Sequence, residues 1–188
     1  GDSHNHNDTG SITVYKNGRP FLIDIGVESY TKKTFSPQRY EIWTMQSQWH
    51  NLPTFDGVQQ LPGAEYAARD VLTTENSITG ELAGAYPPIK DLKHYRRSVL
   101  VTEDGVTLRD ETDWKGTVEL TLLTEQQPTP EWNGFAVGAL GSICFDPKKV
   151  TAEVTPVSIT DPRLRTAWPE TIYKITLRFK KTLNLDLY

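Results

Sequence analysis

The chain has 188 residues, of which 37% are hydrophobic and 23% charged. This balance excludes a disordered or collagen-like polymer and fits one sizeable domain, since all-β sandwiches run past the usual length of about 150 residues. A formal net charge of -4 and a pI near 5.6 argue against a nucleic-acid partner, which calls for a basic face, and no apolar run of about 18 residues predicts a membrane span.

No charged-then-apolar leader opens the chain, and Gly1-Asp2-Ser3 reads as a cut. The first chemical signal is His4-Asn5-His6-Asn7-Asp8. Alternate residues of an extended segment share a side, so His4 and His6 project their imidazoles together while Asn5 and Asn7 face away. Such a pair suits a metal or proton-transfer site, and it equally suits a frayed terminus. Asn17-Gly18 then predicts a two-residue hairpin turn that pairs Lys16 with Arg19, Val14 with Phe21, Ile12 with Ile23 and Ser11 with Asp24. Ile12, Val14, Phe21, Ile23 and Ile25 form one apolar face of this hairpin. Asp24 projects from the other, at the end where the chain leads back to His4 and His6. A lone carboxylate among Leu22, Ile23 and Ile25 is heavily penalised, so a metal ion or a buried hydrogen bond from Ser or Thr is expected to satisfy it. His50, in Ser47-Gln-Trp-His-Asn-Leu-Pro53, is expected on a third strand before the Asp56-Gly57 turn. Two imidazoles and a carboxylate are a three-ligand set that leaves Zn²⁺ a fourth position for water or substrate. His94 lacks such company and reads as a surface residue.

Further along, the nearest helical stripe, Ala64 to Leu72, is too short to carry a fold. Asp104-Gly105 marks another hairpin. Strict alternation over Val118, Leu120 and Leu122, over Val150, Ala152 and Val154, and over Tyr173, Ile175, Leu177 and Phe179 predicts half-buried strands. Lys174, Arg178 and Lys180 on the intervening positions read as solvated edge protection. Cys144, the one cysteine, cannot form an internal disulfide and reads as a buried, inert thiol. The fold class is all-β: an antiparallel β-sandwich of two packed sheets, residues 1–188 forming one domain.

Ser3-His-Asn-His-Asn-Asp-Thr-Gly-Ser11, Tyr15-Lys-Asn-Gly-Arg-Pro-Phe-Leu-Ile-Asp-Ile-Gly26, Tyr30 and Trp49-His-Asn51 together resemble the C-terminal β-sandwich domain of the heparinase II/III-like polysaccharide lyases. The resemblance is specific over the first third of the chain and architectural beyond Gly57. It implies a parent protein in which an N-terminal α/α-toroid precedes this domain, the active-site cleft lying between the two. It also implies that His6, Asp24 and His50 bind zinc, that His4 faces the cleft for substrate binding or proton transfer, and that a tyrosine after the hairpin takes part. Tyr30 and Tyr40 are both candidates, because the spacing between Asp24 and His50 varies among members. The implied reaction is β-elimination on a uronate-containing, acidic polysaccharide in the periplasm or outside the cell. It demands a base within reach of the C5 proton and hydrogen bonds that offset the carboxylate charge. Asn5 and Asn51 are candidates to orient substrate hydroxyl or carboxylate groups, and Trp43 and Trp49 either meet sugar rings or pack in the core. Two other readings stay open: a non-catalytic carbohydrate-binding or scaffold module with a structural metal, and a cupin-like metalloenzyme.

Overall fold

In the computed structural model, which describes residues 5–188, Asn17 and Gly18 have φ of 52° and 74°. This left-handed pair closes a tight hairpin between β1 (Val14–Lys16) and β2 (Arg19–Leu22). Lys16 faces Arg19 as expected, but a bulge beside Tyr15 sets Val14 opposite Leu22 rather than Phe21. The bulge falls next to Pro20, which has no N–H to give the ladder. The expected pairing does not continue to Ile12–Ile23 and Ser11–Asp24. Instead the Asn51 carboxamide lies between the two segments, donating to the carbonyls of Ile12 (2.6 Å) and Ile23 (3.0 Å). The Ile23 amide turns to the Leu123 carbonyl at 2.9 Å. Phe21 and Leu22 therefore enter the main core, while Ile23 and Ile25 enter a second, smaller one.

Residues 33–49 form four successive 3-10 turns, Lys33–Phe35, Pro37–Glu41, Trp43–Met45 and Ser47–Trp49. Pro37 starts the second of them, with the Ser36 hydroxyl accepting from the Gln38 amide. His50 caps the last turn and precedes β3 (Pro53–Phe55), so it stands on a turn and not on the third strand.

The strands that follow are β4 (Arg69–Thr73), β5 (Ser77–Glu81), β6 (Tyr95–Val101), β7 (Val106–Thr112), β8 (Val118–Thr124), β9 (Pro128–Glu131), β10 (Gly134–Val137), β11 (Gly141–Cys144), β12 (Thr151–Ser158), β13 (Thr171–Phe179) and β14 (Thr182–Leu187). They build an eight-stranded sheet in the order β4-β5-β6-β7-β14-β11-β10-β9 and a four-stranded sheet in the order β12-β13-β8-β3. Every pairing is antiparallel. The fold is a β-sandwich. Among the described residues there is no α-helix, and no helix is long and apolar enough to cross a membrane.

The two sheets bury Leu108, Leu183, Leu185 and Leu187 of one against Leu120, Leu122, Ile175 and Leu177 of the other. At one end Phe55 meets Tyr86, Tyr95 and Trp114 edge to face, with centroids 5.0, 5.3 and 5.4 Å away. The outer face of the four-stranded sheet is also covered: Leu123 and Ile172 pack with Ile23, Ile25, Ile159 and Leu164, and Trp43 and Trp168 lie against them. This changes the reading of the basic strand. β13 is bonded on both sides, so its lysine and arginine side chains guard no edge. The Lys174 ammonium sits 4.6 Å from the centre of the Trp49 ring, and Arg178 bridges Glu119 and Glu153 on the neighbouring strands. Cys144 is half-buried on β11; burial is the first cause that raises its thiol pKa, with Glu131 adding to it.

Candidate metal centre

The turn that places His50 also fixes its ring. Its Nε2 lies 3.1 Å from the Thr44 carbonyl, and its Nδ1 lies 2.9 Å from Asp24 Oδ2. A carbonyl only accepts, so the hydrogen bond places the proton of a neutral His50 on Nε2 and leaves the Nδ1 lone pair facing a carboxylate oxygen. Two acceptors at that distance repel unless a positive centre joins them, either a second ring proton or a metal ion. His6 supplies a third donor: its ring centre is 5.4 Å from that of His50, and one ligand atom from each of His6, Asp24 and His50 lies within 4.8 Å of the other two. His50 is fully buried, and the Asp24 side chain is 34% exposed, so the cluster is closed on the protein side and open on one side to solvent.

The titration of the cluster follows from this packing. Burial lowers the His6 pKa, and the adjacent His50 lowers it further, which keeps the imidazole neutral and its lone pair available. For Asp24, burial pushes the carboxyl up. The hydrogen bond and charge of His50, with the Gly26 amide donating to Oδ1 at 2.8 Å, outweigh that and hold it below the ordinary carboxylate value. Donor chemistry therefore fits a divalent ion: two imidazoles, a carboxylate held in its ionised form, and a backbone carbonyl that orients one ring from behind. His6, Asp24 and His50 would hold such an ion, which would supply the positive centre that the Asp24–His50 contact calls for.

The segment that carries His6 is held by the protein itself. Arg39 Nε donates to the Asn5 carbonyl (2.9 Å), the Asn7 amide to the Met45 carbonyl (3.1 Å), and the Asn7 carboxamide to the Gln60 carbonyl (3.2 Å). Gln60 then clamps Thr9 from both sides, accepting from its amide at 2.9 Å and donating to its carbonyl at 2.8 Å. Gln60, Arg39 and Thr44 are all buried. Nothing in the sequence around them marks these roles, because Arg39 and Gln60 act on backbone groups of a distant segment and Thr44 acts through its own carbonyl.

The other predicted site residues are placed as follows. His4 lies outside the described residues. Asn5 is exposed, its side chain free to meet solvent-borne groups. Asn51 is fully buried, and its carboxamide is engaged by Ile12, Ile23 and the Leu123 amide; in place of the expected substrate contact, it holds three segments together. Tyr30 is 46% exposed, edge-on to Phe35 and under the Arg163 guanidinium at 4.3 Å. Tyr40 is half-buried in the second 3-10 turn, and its carbonyl accepts from Gln46. Trp43 packs edge to face with Trp49 at 4.9 Å, and its indole N–H donates to Glu28 at 2.6 Å. His94 is a surface residue, its side chain 71% exposed.

The family profile described as "Heparinase II/III-like, C-terminal" matches residues 1–132. The chain belongs to that family. Heparan sulfate lyase HepC from Pedobacter heparinus superimposes on this C-terminal domain with a TM-score of 0.65 at 16% identity, over 97% of this chain and 30% of that one. A heparinase III gene product with methylated lysines does so with a TM-score of 0.67, also at 16% identity, over 97% and 30%. At such identity the likeness shows the shared fold. The chain thus spans about a third of the length of these structural neighbours. No curated protein sequence matches it significantly.

Proposed function

We propose that this chain is the C-terminal sandwich of a polysaccharide lyase and that His6, Asp24 and His50 hold one zinc ion. On this reading an α/α-toroid precedes the sandwich in the parent protein, and the site lies beside the cleft between them. The observation that carries the proposal is the His50 ring: Nε2 is held by the Thr44 carbonyl, and Nδ1 lies 2.9 Å from an Asp24 carboxylate oxygen with His6 as a third donor beside them. Family membership supplies the reaction class. The ion, when bound, supplies a fixed positive charge beside the cleft.

The substrate class is a uronate-containing polysaccharide met in the periplasm or outside the cell. Elimination breaks the C5–H bond, forms the C4–C5 double bond and expels the C4 oxygen, which takes up a proton. His4 is the imidazole proposed to move one of those protons. Tyr30 and Tyr40 are the phenols proposed to share that work, and Asn5 is proposed to orient a hydroxyl or carboxylate of the sugar. General acid–base groups of this kind contribute about 10²–10⁴ in rate. In the toroid-containing parent, His4→Ala is expected to lower formation of 4,5-unsaturated uronate products by a factor in that range while zinc content, read by elemental analysis, stays at one per chain. Full activity of His4→Ala, or a wild-type protein purified with no metal and unable to take it up, defeats the reading.

A further inference from the structure

The core of this sandwich holds an ion pair that no ligand requires. On β6 and β7, Arg97 and Asp110 are directly opposite one another, on the face that also carries Tyr95 and Leu108 into the core. Arg97 is 4% exposed and Asp110 0%. Nε and Nη2 of the guanidinium grip the two carboxylate oxygens at 2.8 and 2.7 Å, and the Tyr95 hydroxyl donates to Oδ2 at 2.6 Å. A buried pair of this kind adds little stability over an apolar pair of the same shape, so what its remaining donor does is the informative part. Nη1 donates to two carbonyls, those of Gly10 at 2.9 Å and Asn51 at 2.7 Å.

Those two carbonyls belong to the segments that bear His6 and His50. The Asn51 side chain extends the connection: its Nδ2 donates to the carbonyls of Ile12 and Ile23, the latter next to Asp24, and its Oδ1 accepts from the Leu123 amide at 2.8 Å. Its own amide donates to the Ser11 hydroxyl at 3.2 Å. Every chain segment that contributes a donor to the metal centre is thus bonded to one buried unit, and that unit is anchored in the opposite, eight-stranded sheet. The planar guanidinium, pinned on one edge by Asp110, leaves the two carbonyls on its Nη1 little freedom to move relative to each other. Metal–ligand distances are fixed to within about 0.2 Å, and among the described residues Asn51 and Arg97 together bond the segments of all three donors.

We infer that Asn51, Arg97 and Asp110 are positioning residues for the His6–Asp24–His50 site: a clasp that sets the spacing of its three ligands from inside the core. The inference rests on the metal reading above, and its test separates the two. Zinc affinity is measured by competition with a chromophoric chelator, and the visible spectrum of the cobalt-substituted protein reports ligand geometry. Both are recorded at a temperature where circular dichroism shows each protein folded. Asn51→Ala removes the bonds to Ile12, Ile23 and Leu123. Arg97→Lys keeps a charge beside Asp110 but cannot hold the carboxylate and both carbonyls. Leu185→Ala truncates the same core on β14, which carries none of these bonds. The first two are expected to bind zinc about 10–100-fold more weakly, the range found for residues behind metal ligands, with altered cobalt spectra. Leu185→Ala is expected to melt lower yet bind with wild-type affinity and spectrum. Asn51→Asp, which keeps the side-chain shape and loses both donors, is expected to behave as Asn51→Ala and serves if either variant fails to fold. Wild-type affinity and spectra in the Asn51 and Arg97 variants, or an equal loss in Leu185→Ala, overturn the clasp while the metal site stands. A wild-type protein that takes up no zinc overturns the metal reading and the clasp with it.

Discussion

The two ring nitrogens of His50 have different tasks, and the difference makes a prediction at the level of single side chains. Nε2 is committed to the Thr44 carbonyl and Nδ1 to Asp24, so His50 reaches a metal only through Nδ1, and its loss removes a ligand together with the partner of the Asp24 carboxylate. His50→Ala and Asp24→Asn are therefore expected to weaken zinc binding by more than the roughly 10–100-fold typical of residues behind the ligands, and His4→Ala to retain the full complement. Elemental analysis after dialysis checks this: an Asp24→Asn protein with undiminished zinc excludes the carboxylate as a ligand. The H-x-H alternation and a carboxylate among apolar residues mark the His4–His6 pair and Asp24 as candidates in the sequence, and the family resemblance implies the set His6, Asp24 and His50. Asn51 shows where that reasoning stops. A polar residue next to a candidate ligand reads as substrate-facing, whereas here it is buried and saturated by the backbone of distant segments. Arg97 did carry a sign, since Tyr95, Arg97 and Val99 share one phase of an alternating strand and an arginine on the inner phase implies a buried acidic partner.

Among the elements, the tight turns were readable because their geometry is local, and two glycines separate backbone freedom from space. Gly18 has a φ of 74°, and a Cβ there meets nothing within 4 Å. Gly18→Ala should thus cost only the left-handed strain, about 1–2 kcal/mol, seen as a lower denaturation midpoint at unchanged m. Gly134, at the start of β10, has a φ of 153°, and a Cβ there lies 1.9 Å from the Ile143 carbonyl oxygen on β11. Gly134→Ala has to separate two paired strands and should cost several times more, enough to reduce the yield of folded protein. Equal midpoints for the two variants contradict this account. The misread elements have non-local causes. The turn that carries His50 and the break in the hairpin beyond Leu22 depend on what packs there: the second core around Ile23, Ile25 and Trp43, and the hydrogen bond that draws Ile23 to β8, while the inner place of β13 depends on its pairing with both β12 and β8. Periodicity shows which side of a strand is apolar and leaves open whether a loop covers the other side.

For the molecule as a whole, the hydrogen bonds along residues 5–12 change what removal of a metal is expected to do. Were the N-terminal segment a frayed terminus, a zinc ion bridging His6, Asp24 and His50 would be its tether. In the structure that segment is already fixed by Arg39, Met45, Gln60, Arg97 and Asn51, so the site is preorganised and chelation acts by mass action alone. At free zinc 100-fold above Kd, binding stabilises the folded state by about 2.7 kcal/mol, and chains of this size shift by about 2–4 °C per kcal/mol. Excess chelator is expected to lower Tm by roughly 5–11 °C as one cooperative transition. The Asn7 and Thr9 amides, which donate to the Met45 carbonyl and the Gln60 side chain, should remain protected from hydrogen exchange in the chelated protein at low temperature. Their free exchange while the sheet amides stay protected would show that the ion, and not the buried hydrogen bonds, holds the His6 segment in place.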